Sequence, residues 1–335
     1  MVGRGVLLAV AALTVAGCHS VTEYTDSGDF GAVVLNASDL SVLGYVAGID
    51  GARSLVSMGG SRFLVGTSTG HVYEVDSQLM EIVEHHQVTA GAGAGISRMV
   101  KSPSAATIYL LTGMGKILEM DQETFEVVDD FGVGASPSDI CRSPASLPRI
   151  YVSDAQQGMV REVWTSDNHV GKVMEVPESP VALAGFLPDP DRMVSAHDGE
   201  GGVSILNTDS QYYSVLLSGD DGPYSAVAMA STDTIVCAAA PRWNSDGGRV
   251  YMIDMAGPEQ GTVSLSVDGH PTCICVHPLG SPPYFYAACA DGDRTLVEAL
   301  NYLYGQVQMT AELEGHPWAI TTHRSGEKLI VLTSI

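Results

Sequence analysis

ISRMVKSPSAATIYLLTGMGKILEMDQETFEVVDDFGVG, residues 96–134, carries four short apolar runs parted by turns. ISRMVKS opens the unit and TIYLLTG follows a Ser/Pro/Ala loop. GKILEMD comes after a glycine turn, and the more polar FEVVDDFG closes the unit. Short runs rich in Ile, Leu, Val and Tyr, bounded by Gly, Pro, Ser and Asp, read as β-strands. Residues 52–90 repeat the order as RSLVSMG, RFLVGTS, GHVYEVD and MEIVEHHQV.

Working outward, the first run of each unit supplies a register. An apolar residue recurs at Leu55, Met99, Ile140, Leu183, Val227, Ile274 and Ile320, at spacings of 44, 41, 43, 44, 47 and 46. Proline precedes five of these marks, at Pro137, Pro180, Pro223, Pro271 and Pro317. Gly-His-Pro occurs at 269–271 and again at 315–317, and His277 and His323 keep the same offset. Four strands per unit, at a period in the forties, are the pattern of a propeller blade. A lone four-stranded sheet cannot cover both its faces, whereas one packed radially between two neighbours can. Its strands then read as near-continuous apolar runs instead of a clean alternation.

The chain ends set the count. The last unit supplies only WAITTH (318–323) and KLIVLTSI (328–335). GAVVLNASDLSVLGYVAG (31–48) has the pattern of the two strands it lacks. Pairing them closes the ring and removes exposed sheet edges. The expected fold is all-β: a seven-bladed β-propeller of four-stranded antiparallel blades over residues 31–335, closed by its N-terminal strands pairing with its C-terminal ones. A pair of β-sandwiches, or a ring of six or eight blades, would also use such units. Residues 296–304, LVEALNYLY, read as a helical turn by pattern.

Units such as IYLLTGMGKILEMDQETFEVVDDFG resemble the YVTN repeats of the quinoprotein-like and WD-repeat-like propellers. No Trp-Asp dipeptide is present, and blade five carries a long turn, PRWNSDGG (241–248).

Ahead of the repeats, Arg4 precedes an apolar stretch, Val6–Val15, too short to cross a bilayer as a helix. Residues 1–17 read as an export signal. Val15-Ala16-Gly17-Cys18 resembles the lipobox of bacterial lipoproteins. That resemblance implies loss of residues 1–17 and a covalent lipid on Cys18, with residues 18–30 as a flexible tether. His19, where an aspartate would signal inner-membrane retention, implies an extracytoplasmic place at the outer membrane.

Composition narrows the function. Sixteen basic against 39 acidic residues give a net charge of -23. So negative a surface repels phosphate backbones, and no nucleic-acid partner is expected. Five cysteines follow Cys18 (141, 237, 273, 275 and 289), and four of them lie in apolar strands and read as buried thiols. A disulfide is open between Cys289 and the neighbouring strand that holds Cys273 and Cys275.

The catalytic motifs fall short. Gly66-Thr67-Ser68-Thr69-Gly70 matches G-x-S-x-G, yet a strand follows it where a nucleophile elbow needs a helix. Gly91-Ala92-Gly93-Ala94-Gly95 lacks both the dinucleotide-loop spacing and the following helix. The run from Asp189 has Val194 where a calcium loop needs glycine. No catalytic residue and no cofactor beyond the lipid are assigned.

Ligands of propellers lie over the axis, on the face carrying the loops into each first strand and those joining second to third. On that face are expected Tyr224, Arg242, Trp243, His270, Asp291, Asp293, His316 and Trp318. His270 and His316 are the weak metal candidates, two imidazoles short of a full ligand set. The expected activity is that of a lipid-anchored binding or scaffold protein for a protein, polymer or small ligand. The alternative is a propeller enzyme, lactonase-like or quinoprotein-like, with its site at the channel mouth.

Overall fold

The computed structural model describes residues 23–24, 30–89, 91, 95–102, 106–143, 147–185, 189, 191–198, 202–218, 223–230, 234–241, 247–256 and 261–334. Residues 1–22, with the expected export signal and Cys18, lie outside them, as do Arg242 and Trp243.

Every regular element among the described residues is a strand. Strand β1 (Glu23–Tyr24) comes first, then β2 (Gly31–Asn36) and β3 (Val42–Ala47). Blade one is β4 (Ala52–Gly59), β5 (Arg62–Thr67), β6 (His71–Asp76) and β7 (Glu81–Gln87). Blade two is β8 (Ile96–Lys101), β9 (Thr107–Thr112), β10 (Lys116–Asp121) and β11 (Val127–Gly132). Blade three is β12 (Pro137–Arg142), β13 (Arg149–Asp154), β14 (Met159–Trp164) and β15 (His169–Glu175). Blade four is β16 (Pro180–Gly185), β17 (Arg192–His197), β18 (Val203–Asn207) and β19 (Tyr212–Leu217). Blade five is β20 (Ala226–Met229), β21 (Ile235–Ala240), β22 (Gly247–Asp254) and β23 (Gly261–Asp268). Blade six is β24 (His270–Val276), β25 (Tyr284–Asp291), β26 (Arg294–Asn301) and β27 (Gln306–Glu314). Blade seven joins β28 (His316–Thr322) and β29 (Lys328–Ser334) to β2 and β3, in the order β28-β29-β2-β3. The fold is thus a seven-bladed propeller of antiparallel four-stranded blades.

Burial grades outward along each blade. Second strands are almost wholly buried, as in TIYLLT and RIYVSD, because neighbouring blades cover both their faces. Fourth strands such as VVDDFG lie at the rim and carry the charges. Seven buried apolar clusters fill the seven gaps between adjacent blades. One of them joins Ala32, Val46, Ile330 and Leu332 of blade seven to Phe63, Val65 and Val75 of blade one. The ring is therefore continuous across the chain ends.

Blade seven is also pinned by hydrogen bonds to both neighbours. Lys328 Nζ donates to the Ser77 carbonyl at 2.7 Å, and the Tyr286 hydroxyl donates to the Ala37 carbonyl at 2.6 Å in a buried setting. Tyr286→Phe leaves that carbonyl without its donor, an expected cost of about 1–2 kcal/mol. The check is a fall in the urea midpoint at unchanged slope.

Three local expectations are corrected. The helical turn at 296–304 is instead strand β26 and the turn after it. Its alternate residues face different neighbours: Val297 and Ala299 pack toward blade seven, Leu296 and Leu300 toward blade five. The fourth strand of blade two begins at Val127, not Phe125. Phe125 sits in the turn at φ 59° and stacks on His86 at 4.4 Å between ring centres. Among the described residues no disulfide forms, and Cys141, Cys237, Cys273, Cys275 and Cys289 are all free. Cys273 and Cys275 pack toward blade seven while Cys289 packs toward blade five, so the sheet itself lies between them.

Within the stretch expected to be a tether, Glu23 and Tyr24 pair in parallel with Glu312 and Leu313 on the outer edge of blade six.

Candidate functional site

Each blade begins on the same face, called here the upper face, where the chain enters the innermost strand. The Gly-His-Pro triplets lie at two of these crossings. Gly269 and Gly315 take left-handed φ angles of 71° and 85°, and a Cβ on Gly269 would lie 2.7 Å from the Ala290 carbonyl oxygen. The glycines are therefore turn chemistry. His270 and His316 are the first residues of β24 and β28.

The innermost strands share one irregularity. In six of the seven, pairing to the second strand slips by one residue near its start. The residues skipped are Arg53, Ser97, Ser138, Val181, Thr272 and Trp318. Ser225 holds the matching place just before β20. Each lies two positions before the register marks read from the sequence. A bulge takes its residue out of the sheet pattern and re-aims its side chain. Six such positions, with Ser225 in the matching place of blade five, stand at the upper ends of the innermost strands.

Most of these side chains are occupied. Ser97 Oγ donates to the Leu111 carbonyl at 3.1 Å, and Thr272 Oγ1 to that of Ala288 at 3.1 Å. Ser225 Oγ reaches across to the Pro271 carbonyl at 2.8 Å, and Ser138 Oγ to that of Pro180. The hydroxyls cover backbone groups that the bulges leave short of partners.

Arg53 and Trp318 differ. The Arg53 guanidinium carbon lies 3.4 Å from the centre of a Trp318 ring and 5.5 Å from that of Phe30. Trp318 is held by its own indole N–H, which donates to Ser334 Oγ at 2.8 Å. Arg53 forms no ion pair among the described residues, and its buried Nη1 has no hydrogen-bond partner. Burial accordingly lowers its pKa.

Below it, Arg98 Nε pairs with Asp139 Oδ1 at 3.3 Å, and Asp139 Oδ2 accepts from the Leu183 N–H at 2.8 Å. This chain of contacts links blades two, three and four. Burial pushes the Asp139 carboxyl up and Arg98 opposes that shift.

The space above is a mouth of about 460 Å³, lined by Arg53, Ser68, Arg98, Thr272, His316 and Trp318 among others, and by no described carboxylate. A throat of about 160 Å³ continues down the axis and includes Asp139. The mouth is of the size that takes small ligands.

The expected site residues are scattered. His316 and Trp318 line the mouth, their rings edge-on at 5.3 Å. Burial, and then the nearby Arg53 charge, lowers the His316 pKa, keeping its imidazole neutral at pH 7. His270 shares the face but does not line the mouth, and no group of three or more His, Cys, Asp or Glu residues able to hold a metal occurs among the described residues. Asp291 pairs with Arg294 at 2.5 Å on the outer side of blade six, and Asp293 is exposed in the adjoining turn. Tyr224 is not on the surface. It is 1% exposed, its ring turned into the core between blades four and five beside Tyr251.

Arg53, Arg98 and Asp139 were not among the sequence candidates. Their signal was present: read at one and two places before each register mark, the first strands supply Arg53, Arg98, Asp139 and Trp318 among small residues.

No family model matches the chain, and no curated protein matches its sequence. Solved structures do resemble it. A chain of Kuenenia stuttgartiensis hydrazine synthase superposes with a TM-score of 0.69 at 14% identity, over 85% of this chain and 96% of that one. The WD40 repeats of RRP9 give 0.69 at 9% identity, over 91% and 98%. U3-55K gives 0.68 at 10% identity, over 90% and 98%. At such identities the likeness is one of fold, since one propeller carries many functions.

Proposed function

We propose that this chain is a lipid-anchored extracytoplasmic binding protein that takes its ligand on the upper face, over the mouth of the central channel. The observation that carries the reading is the Arg53–Trp318 pair: a cation with no counter-charge among the described residues, fixed on an aromatic ring at a cavity at the channel mouth. The cavity suits a small molecule, or the end group of a larger one. The YVTN-like repeats and the lipobox-like Cys18 support the rest of the proposal, a rigid disc tethered at the outer membrane.

A thermal-shift screen of metabolites against the mature chain tests the binding reading. Hits are expected to be lost in Ser97→Trp, which fills the mouth, and kept in Val128→Trp, on the outer strand where Val128 is 59% exposed. Hits that survive the filled mouth, or turnover of a substrate that does not need it, contradict the proposal.

The anchor is tested separately. Cys18→Ser is expected to abolish incorporation of an alkyne-tagged fatty acid and to move the protein from the detergent phase to the aqueous phase. A Cys18→Ser protein that still labels rules out lipidation at this position.

A further inference from the structure

We infer that the mouth binds a small carboxylate, gripped by Arg53 with Arg98 behind it and stacked beside Trp318. The inference rests on the binding reading above and names the chemistry of its ligand.

Charge gives the first reason. The chain carries a net charge of -23, yet the described lining of the mouth has two arginines and no carboxylate. In the throat, Asp139 is already engaged by Arg98 and the Leu183 N–H. Counting Arg53, Arg98 and Asp139, the region holds one uncompensated positive charge. A guest with a single negative charge matches it, and a cationic one is repelled.

Geometry gives the second. Trp318 lies against one face of the Arg53 guanidinium, at 3.4 Å. This holds the fork in place while leaving its donor edge for a partner. Nη1 bonds to nothing in the protein and Arg53 forms no ion pair among the described residues, so no protein carboxylate competes for the fork. The planar fork matches the two oxygens of a carboxylate, which it can hold bidentately.

The walls give the third. The half-buried Trp318 offers apolar surface, and Gly95 and Gly113 leave the backbone open. A carboxylate on a compact apolar or aromatic body fits such a lining. A doubly charged phosphate would meet only one free positive charge.

The test compares benzoate, benzamide and benzylammonium on the mature protein by titration calorimetry or saturation-transfer NMR. These probes share a ring and differ in charge. Benzoate is expected to bind at least tenfold tighter than either of the others. Arg53→Gln is expected to lower benzoate affinity by about tenfold or more and to leave benzamide unchanged. Arg53→Lys, which keeps the charge and loses the fork, is expected to fall between. Unchanged melting temperatures certify that the variants fold.

Benzoate binding no tighter than benzamide, or a preference that survives Arg53→Gln, overturns the inference. If neutral or cationic hits of the metabolite screen are lost in Ser97→Trp, the mouth is a binding site and only the carboxylate assignment fails. If no hit depends on the mouth and benzoate does not bind, both readings fail together.

Discussion

A chain that begins at Gly48 is expected not to fold. Strand β2 is the third strand of blade seven, with β29 on one side and β3 on the other. Ala32, Val33, Val34 and Leu35 are all buried within it, and six residue pairs from Gly31↔Thr333 to Asn36↔Lys328 hold it to β29. Burying each of the three larger side chains stabilises the fold by about 1.5–3 kcal/mol, so the set contributes roughly 5–9 kcal/mol before any hydrogen bond is counted. The whole stability of a typical domain is only about 5–15 kcal/mol. Losing β2 and β3 also bares an edge of β29 and opens the core against blade one. The truncated protein should show no cooperative urea transition, and adding a peptide of residues 31–47 should restore one. Leu35→Ala is the milder form, at an expected cost of about 2–5 kcal/mol.

Glu298→Gln should reshape the pH dependence of stability. Glu298 lies between blades five and six and is 2% exposed. Its Oε1 accepts the Asp268 N–H at 3.0 Å, while its buried Oε2 has no partner. Burial pushes its carboxyl from an ordinary 4.5 up to about 7; the Asp268 N–H opposes the shift and the Asp268 carboxylate adds to it. A folded-state pKa above the unfolded value means that the folded protein holds the proton more tightly. The resulting stability is fully present below pH 4.5 and is lost as pH rises through 7. A gap of this size is worth about 3 kcal/mol. The amide of Glu298→Gln carries no charge at any pH. The variant should therefore match the parent near pH 4.5 and exceed it at pH 8 by up to about 3 kcal/mol, as read from urea midpoints. Parallel pH profiles for the two proteins would contradict this account of Glu298.

The repeat made the architecture legible, because the register marks at Leu55, Met99, Ile140, Leu183, Val227, Ile274 and Ile320 fall at one place in every innermost strand. The split blade was legible for the same reason: two strands were left over at each end. Patterning failed where both faces of a strand are buried. In β26, alternating contacts to two blades leave an unbroken apolar run, and LVEAL reads equally as helix or strand. Tyr224 misled because an aromatic after proline at a blade crossing reads as a loop residue, whereas the core between blades four and five had room for its ring.

The site was half legible. His316 and Trp318 came from the right face. Arg53 and Arg98 did not, since an isolated arginine in a strand reads as an ordinary rim charge. Arg53 and Trp318 sit at bulges, which cannot be seen in a single unit and which re-aim their side chains into the mouth, whereas Arg98, one place before its mark, stays paired in the ladder and lines the mouth from there. The glycines of Gly-His-Pro drew attention to the histidines beside them, yet their own left-handed backbone explains the motif.

The mouth exists only if the ring closes, and closure rests on pairing between the two ends of the chain. Hydrogen exchange on the intact protein tests this directly. Amides of residues 31–36 should be protected as strongly as those of 328–334, and both sets should open together when urea is added. Rapid exchange across 31–36 while 328–334 stays protected would show that the ends do not share a sheet, and neither the channel nor its mouth would stand.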